Sequence, residues 1–277
     1  MDRYAVIGNP IAHSKSPSIH AAFARQTGEV LEYAACLAPL DGFVASVLAF
    51  RSEGGRGMNV TVPFKLEAFA LANRHSPRAK AAGAVNTLAF RGDEIFGDNT
   101  DGAGLVRDLT HNLGVGLRGQ RVLLLGAGGA ARGVILPLMA EGPAALTIAN
   151  RGVDKARGLC EQFEPAAGET RLAAAALADL SGPGYDIIIN ATAASLANEA
   201  PAVPTEVYSN CALAYDMMYA RGETAFMRAA RAGGARRCAD GLGMLVEQAA
   251  ESFLLWRGIR PRTTEILAEL RRQMSSG

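Results

Sequence analysis

Val122-Leu123-Leu124-Leu125-Gly126-Ala127-Gly128-Gly129-Ala130-Ala131-Arg132-Gly133 sets an apolar, strand-length run directly before a G-x-G-x-x-A turn and a helical segment. That order has a physical use. Gly126 permits a tight turn, Gly128 lets backbone come close to a pyrophosphate, and small Ala131 allows the helix to pack closely on the sheet. A pyrophosphate there would meet backbone N–H groups at a helix N-terminus, where the helix dipole favours negative charge. A glycine-rich turn in a chain with 31 glycines is the plainer explanation, but the flanking strand and helix patterns favour dinucleotide binding.

About 20 residues beyond such a turn, a site for NAD usually carries Asp or Glu against the adenosine ribose hydroxyl. The second strand ends instead in Asn150-Arg151-Gly152, with Lys155 one helical turn later. A carboxylate would repel a 2′-phosphate, whereas Arg151 can stack on adenine or pair with phosphate, and Lys155 adds positive charge. NADP is therefore expected rather than NAD.

Outward from the turn, short apolar runs alternate with helix-length segments, which favours α/β architecture with largely parallel sheets. Strands are expected at Arg121–Leu125, Ala145–Ala149, Tyr185–Asn190 and Ala212–Asp216, the pattern of a doubly wound, Rossmann-type domain. Before them, strands are expected at Tyr4–Gly8, Leu31–Leu37 and Met58–Val62, with helices near Pro17–Gln26, Asp41–Arg51 and Phe64–Asn73. Ala84–Phe90 and Glu94–Asp98 flank Arg91-Gly92-Asp93 as a hairpin, giving this half an antiparallel edge. A long amphipathic pattern over Leu242–Arg257 can return the chain to the first unit. The expected fold is thus an N-terminal α/β substrate domain, residues 1–101 completed by 241–277, plus a Rossmann-type dinucleotide-binding domain over 102–240.

Composition agrees. At roughly 150 residues per domain, 277 residues suggest two domains and a cleft between them. A net charge of +1 argues against nucleic acid as main partner, since such binders carry a basic excess. Hydrophobic residues at 49% and charged ones at 20% fit a globular chain, and only Met274-Ser275-Ser276-Gly277 looks frayed. No apolar run suits a bilayer, because Arg132 interrupts the longest candidate, Val122 to Ala140, and no secretory signal opens the chain. A cytoplasmic protein with no membrane partner is expected, so Asn190-Ala191-Thr192 reads as a chance sequon. Cys36, Cys160, Cys211 and Cys238 show neither metal spacing nor a disulfide framework, and no metal is expected. His13, His20, His75 and His111 read as surface or cap residues. Oligomeric state is left open, a homodimer being one assembly open to such a chain.

Four polar segments fall at expected strand ends or turns. In Asn9-Pro10-Ile11-Ala12-His13-Ser14-Lys15-Ser16-Pro17-Ser18, Ser16 reads as an N-cap and Pro17 as the first helical residue. Serine hydroxyls beside that helix end suit a small carboxylate, although most Ser-Pro starts only cap. In Met58-Asn59-Val60-Thr61-Val62-Pro63-Phe64-Lys65, period-two alternation puts Asn59 and Thr61 on one face, with a lysine just beyond. The others are Gly83-Ala84-Val85-Asn86-Thr87 and Gly97-Asp98-Asn99-Thr100-Asp101-Gly102, which alone could be turns and a helix cap.

Taken together with Asn150-Arg151, Asn190-Ala191-Thr192, Asp216-Met217-Met218-Tyr219 and Asp240-Gly241-Leu242-Gly243-Met244-Leu245-Val246-Glu247-Gln248-Ala249, these segments resemble the shikimate dehydrogenase family in order and over nearly the whole chain. The resemblance implies NADPH-dependent reduction of 3-dehydroshikimate to shikimate, on the route to aromatic amino acids. It implies that Ser14 and Ser16 hold the substrate carboxylate, with Lys15 contributing backbone. Thr61, Asn86, Tyr219 and Gln248 would contact substrate, with Asn59 a neighbour, and Lys65 and Asp101 would form the catalytic pair. Gly126, Ala127, Gly128, Gly129 and Ala130, with Asn150, Arg151 and Lys155, would bind the cofactor phosphates, and Met217 and Gly241 would lie near the nicotinamide.

Hydride delivery to a carbonyl leaves an alkoxide, which needs a proton donor within about 3 Å. Lys65 can supply the proton and Asp101 can orient its amine. The residues leave a second role open for Lys65, positioning of substrate. Three departures from the family pattern stand out: Gly152 where threonine is common, Lys155 where arginine is common, and Thr192-Ala193-Ala194-Ser195-Leu196 where a glycine usually closes the loop. The first two weaken the expected preference for NADP. Thr224-Ala225-Phe226 replaces the common Thr-Pro-Leu, a small change at a helix start. A quinate-oxidising, NAD-using relative is the runner-up, and a non-catalytic nucleotide sensor would have no use for both Lys65 and Asp101.

Overall fold

The computed structural model describes every residue except Ala193, Ser276 and Gly277. Its first sheet draws on β1 (Asp2–Gly8), α1 (Ser16–Thr27), β2 (Leu31–Leu37), α2 (Phe43–Ser52), β3 (Gly55–Val60), α3 (Lys65–Leu71), β4 (Arg74–His75), α4 (Pro77–Ala82), β5 (Thr87–Arg91) and β6 (Glu94–Asp98). The strand order is β2-β1-β3-β5-β6-β4. β1 reads Asp-Arg-Tyr-Ala-Val-Ile-Gly and is buried from Tyr4 onward, as a parallel strand covered on both faces must be. Phe43, Met58 and Phe64 build the core on one face. On the other, Ile19 and Phe23 meet Val246, Phe253 and Leu270 from the end of the chain.

The antiparallel element is not at the edge. β5 runs antiparallel to both β3 and β6 and lies inside the sheet, while the edge is closed by two-residue β4, parallel to β6. So short a strand carries no periodic signal. The hairpin turn is Gly92-Asp93, with Gly92 at φ 56°, and its first strand starts at Thr87, residues 84–86 lying outside any helix or strand. β3 likewise starts earlier and ends at Val60, so the expected alternation through Val62 stops with the strand.

After α5 (Asp101–Arg107) and a π-helical turn at Asp108–Asn112 come β7 (Arg121–Leu125), α6 (Gly129–Ala140), β8 (Ala145–Asn150), α7 (Val153–Phe163), β9 (Arg171–Ala176), β10 (Ile187–Asn190), β11 (Leu213–Asp216), α8 (Ala225–Ala232) and β12 (Cys238–Ala239). The sheet order β12-β11-β10-β7-β8-β9 is parallel throughout. This is the doubly wound order, whose direction reverses beside β7. β9 was not anticipated because Arg171–Ala176 is alanine-rich, and β12 because it is two residues long.

α9 (Leu242–Arg257) then runs back beside α5, and α10 (Thr264–Ser275) packs on it. The expected frayed end is therefore helical through Ser275: Met274 packs against the Ile19–Phe253 cluster, while Ser276 and Gly277 lie outside the described residues. Close approach of α5 and α9 needs small residues. A Cβ on Gly104 would stand 2.7 Å from the Gln248 Cβ. Buried Glu247 ties the same junction: it accepts from Asn112 and Thr263 and pairs with Arg107 and Arg260.

Candidate active site

Loops that follow β1, β3, β10 and β11 meet the starts of α6 and α9 around one cleft of about 410 Å³. Of the residues expected from sequence, Ser14, Ser16, Asn59, Thr61, Lys65, Asn86, Asp101, Ala130, Met217, Tyr219, Gly241 and Gln248 line it. Lys15, Gly126, Ala127, Gly128, Gly129, Asn150, Arg151 and Lys155 do not. His13, Thr192, Met218, Met244 and Leu245 were not anticipated as lining residues. All five sit inside segments already singled out, and the docking of α9 is what turns Met244 and Leu245 to the cleft.

Lys65 opens α3 and Asp101 opens α5, two helix starts on opposite sides of β5 that the sheet brings together. Lys65 Nζ donates to Asp101 Oδ2 at 2.6 Å. Asn86 Nδ2 donates to Asp101 Oδ1 at 2.9 Å, so both carboxylate oxygens are held. The Asn86 amide is otherwise committed as well: its oxygen accepts from Thr87 Oγ1 and the Thr100 backbone N–H, and its nitrogen also reaches Thr100 Oγ1 and Gln248 Oε1. Asn86 thus acts on the carboxylate directly. Among the described residues the Thr61 hydroxyl makes no hydrogen bond and is open to a ligand.

At α1 the cap is shifted by one residue. Lys15 is the N-cap, with φ −85° and ψ −9°, and Ser16 is the first helical residue, with Pro17 after it. Ser14 supplies the capping oxygen, accepting from the Ser16 N–H at 3.3 Å. Ser14 and Ser16 still flank the helix N-terminus and face the cleft, where the helix dipole favours an anion.

Opposite them, Gly126 takes φ +108° with the Ala191 backbone beside it, while Gly128 and Gly129 have no heavy atom within 4 Å of where a Cβ would stand. Ala131, in the first turn of α6, is fully buried, which allows the close packing expected of it. Asn150 Nδ2 donates to the Gly152 carbonyl at 2.9 Å and fixes the turn after β8. The side chains of Arg151 and Lys155 are exposed and have no hydrogen-bond or ion-pair partner among the described residues. Open backbone at the turn and two free cations fit the diphosphate and 2′-phosphate of NADP. The floor is rigid: buried Asn190 donates to Asp216 Oδ1 at 3.0 Å, and Asp216 also accepts from Ser195, Thr224 and the Met218 N–H. An asparagine so committed suits no glycan. Thr224 caps α8 by accepting from the Met227 N–H. Ser195, which stands where the family pattern has its glycine, donates to Asp216 Oδ2 at 2.7 Å, and Ala193 lies outside the described residues.

His20 is a correction. It is fully buried rather than at the surface, because it shares the inner face of α1 with Ile19 and Phe23. Burial lowers its pKa to about 3, so the imidazole is neutral. Three or more His, Cys, Asp or Glu side chains placed to hold a metal do not occur among the described residues, nor does a helix long and apolar enough to cross a membrane.

Three family profiles match the chain: the shikimate dehydrogenase substrate binding domain over residues 6–88, shikimate / quinate 5-dehydrogenase over 108–201, and the shikimate 5′-dehydrogenase C-terminal domain over 241–271. Shikimate dehydrogenase (NADP(+)) of Aromatoleum aromaticum is 67% identical, covering 100% of this chain and 99% of its own. Among solved structures, an Ael1 enzyme from Pseudomonas putida is 51% identical with a TM-score of 0.91, covering 98% of each chain. Shikimate 5-dehydrogenase from Thermus thermophilus, solved with NADP(H) and shikimate, is 33% identical with a TM-score of 0.86, covering 99% of this chain and 100% of its own. Likeness of this degree over the full length, with the cleft built from the matching segments, makes the chain a member of the shikimate dehydrogenase family.

Proposed function

We propose that the chain catalyses the reversible, NADPH-dependent reduction of 3-dehydroshikimate to shikimate. The observation that carries this reading is the Lys65–Asp101 pair at 2.6 Å in the wall of a cleft between an α/β sheet and a doubly wound sheet. Residues 1–101 with 241–277 act as the substrate-binding and catalytic unit, and residues 102–240 as the NADP-binding unit. NADPH, when bound, supplies the hydride. Ser14, Ser16 and the start of α1 hold the substrate carboxylate, with Thr61, Tyr219 and Gln248 on its hydroxyls. As the carbonyl carbon accepts hydride, Lys65 Nζ gives a proton to the oxygen; Asp101 keeps Nζ aimed, and Asn86 keeps Asp101 in place. In the reverse direction Lys65 takes the hydroxyl proton. A cytoplasmic location suits a small-molecule biosynthetic enzyme of this kind, and a homodimer is compatible with the reading.

An absorbance assay at the nicotinamide band, crossing shikimate and quinate with NADP and NAD, tests it. Shikimate with NADP is expected to turn over fastest; quinate with NAD exceeding it would overturn the reading. On the cofactor side, Arg151→Ala is expected to raise KM for NADP about tenfold while leaving KM for NAD nearly unchanged, since only NADP carries the 2′-phosphate. Equal losses for both cofactors would instead place Arg151 on adenine.

A further inference from the structure

Tyr33, on edge strand β2, does not line the cleft, yet its hydroxyl donates to Asn59 Oδ1 at 2.7 Å. The nitrogen of the same carboxamide is held from the other side. Asn59 Nδ2 donates to Ser252 Oγ at 2.8 Å and Thr87 Oγ1 at 3.1 Å, and lies 3.3 Å from the Asn86 carbonyl oxygen. Hydroxyls donate or accept, so Ser252, Thr87 and Tyr33 would suit either orientation of the amide. A carbonyl only accepts. The Asn86 carbonyl therefore sets the nitrogen on its own side and turns the oxygen towards Tyr33. Burial holds the Tyr33 phenol far above its usual ionisation range, so the proton it donates stays in place. The ring is fixed too, stacked at 4.1 Å and 4° on the imidazole of fully buried His20.

With both N–H groups committed behind the cleft wall, Asn59 has only the second lone pair of Oδ1 to offer a ligand. We propose that Tyr33 is a positioning residue that presents Asn59 to the cleft as a hydrogen-bond acceptor, and so selects a substrate with a ring hydroxyl at that place. The inference rests on the dehydroshikimate reading and sharpens it. A substrate hydroxyl donates to Oδ1; a ketone or carboxylate oxygen there meets another acceptor, and both are left desolvated without a bond. A ligand lacking the hydroxyl is penalised in the same way.

Tyr33→Phe keeps the ring and its stack on His20 and removes only the donor. Without it Oδ1 loses the partner that holds it from behind, so the oxygen is no longer kept in place for a substrate hydroxyl. Oxidation kinetics with NADP are compared for shikimate and for its two monodeoxy analogues that retain the hydroxyl to be oxidised. The wild-type protein is expected to disfavour one of the two analogues at least about tenfold more than the other in kcat/KM. In Tyr33→Phe, KM for shikimate is expected to rise about tenfold, with kcat within about twofold, KM for NADP unchanged, and discrimination against that analogue largely lost. Ser252→Ala, which removes the shortest of the bonds that hold the nitrogen end, is expected to weaken the same discrimination and decides the matter if Tyr33→Phe does not fold. Wild-type discrimination kept in the folded variants, whatever their absolute rates, would reduce Tyr33 to a packing role and overturn the proposal. Failure of the parent reading is distinguishable, because the unaltered protein would then not oxidise shikimate with NADP at all.

Discussion

Lys65→Ala is expected to lower kcat for shikimate oxidation by about a thousandfold while leaving KM nearly unchanged. Among the described residues Lys65 Nζ is the one ammonium in the cleft wall held against a carboxylate, 2.6 Å from Asp101 Oδ2, and its side chain is 24% exposed, so it is open to a ligand. Removing it takes the proton carrier away from the reacting oxygen. The groups that hold the ground state, Ser14, Ser16, Thr61, Tyr219 and Gln248, stand on other elements and remain in place. Initial rates followed at the nicotinamide band, with circular dichroism to establish that the variant is folded, measure both constants. A raised KM with kcat preserved would make Lys65 a positioning group instead. Lys65→Arg sharpens the result, because a guanidinium can restore the pairing with Asp101 but does not give up its proton near neutral pH. It is expected to stay nearly as inactive as the alanine variant.

Gly243→Ala is expected to destabilise the protein strongly through a single added methyl group. A Cβ there would stand 1.9 Å from Asp108 Oδ1 and 2.3 Å from its Cγ. Asp108 has no free space to yield: Tyr215 donates to Oδ2 at 2.7 Å and Asn112 to Oδ1 at 2.9 Å, and burial already pushes its carboxyl above the usual range. Moving it would orphan the hydroxyl of fully buried Tyr215. Overpacking with loss of a buried hydrogen bond costs about 3 kcal/mol, a fall in Tm of about 6–12 °C for a protein of this size. Thermal melting of Gly158→Ala supplies the contrast. Gly158 is an exposed residue within α7 with no heavy atom within 4 Å of its Cβ position, so alanine there is expected to raise Tm slightly. Equal, small shifts for the two variants would mean that Asp108 moves aside freely and that the α5–α9 junction is not tightly set.

Much of the cleft was readable in advance because its parts are short and local. A strand, a glycine turn and a helix start lie within a dozen residues at Val122–Gly133, and Lys65 follows its strand by a few positions. Such units owe their shape to neighbouring residues. What escaped was set by distant chain. His20 looked like a surface residue, since nothing near it in sequence announces that Tyr33 will stack on it and Phe253 will pack close by. The interior place of β5 and the short edges β4 and β12 follow from pairing, which has no local signature. Asn59 was expected beside substrate, but its bonds to Tyr33 and Ser252 join residues 26 and 193 positions away.

By itself the sequence determined the class of fold, the position of the dinucleotide turn, the basic end of β8 and the identity of the polar groups at the strand ends. Periodicity and turn chemistry act over a few residues and survive without a partner. Tertiary structure alone decided which of those groups meet: that Asn86 holds Asp101 for Lys65, that α9 brings Gln248, Met244 and Leu245 to the cleft, and which way the Asn59 amide faces. The reason is that a buried polar group must find its partners wherever the packed chain puts them, and that arrangement depends on contacts spread over the whole sequence.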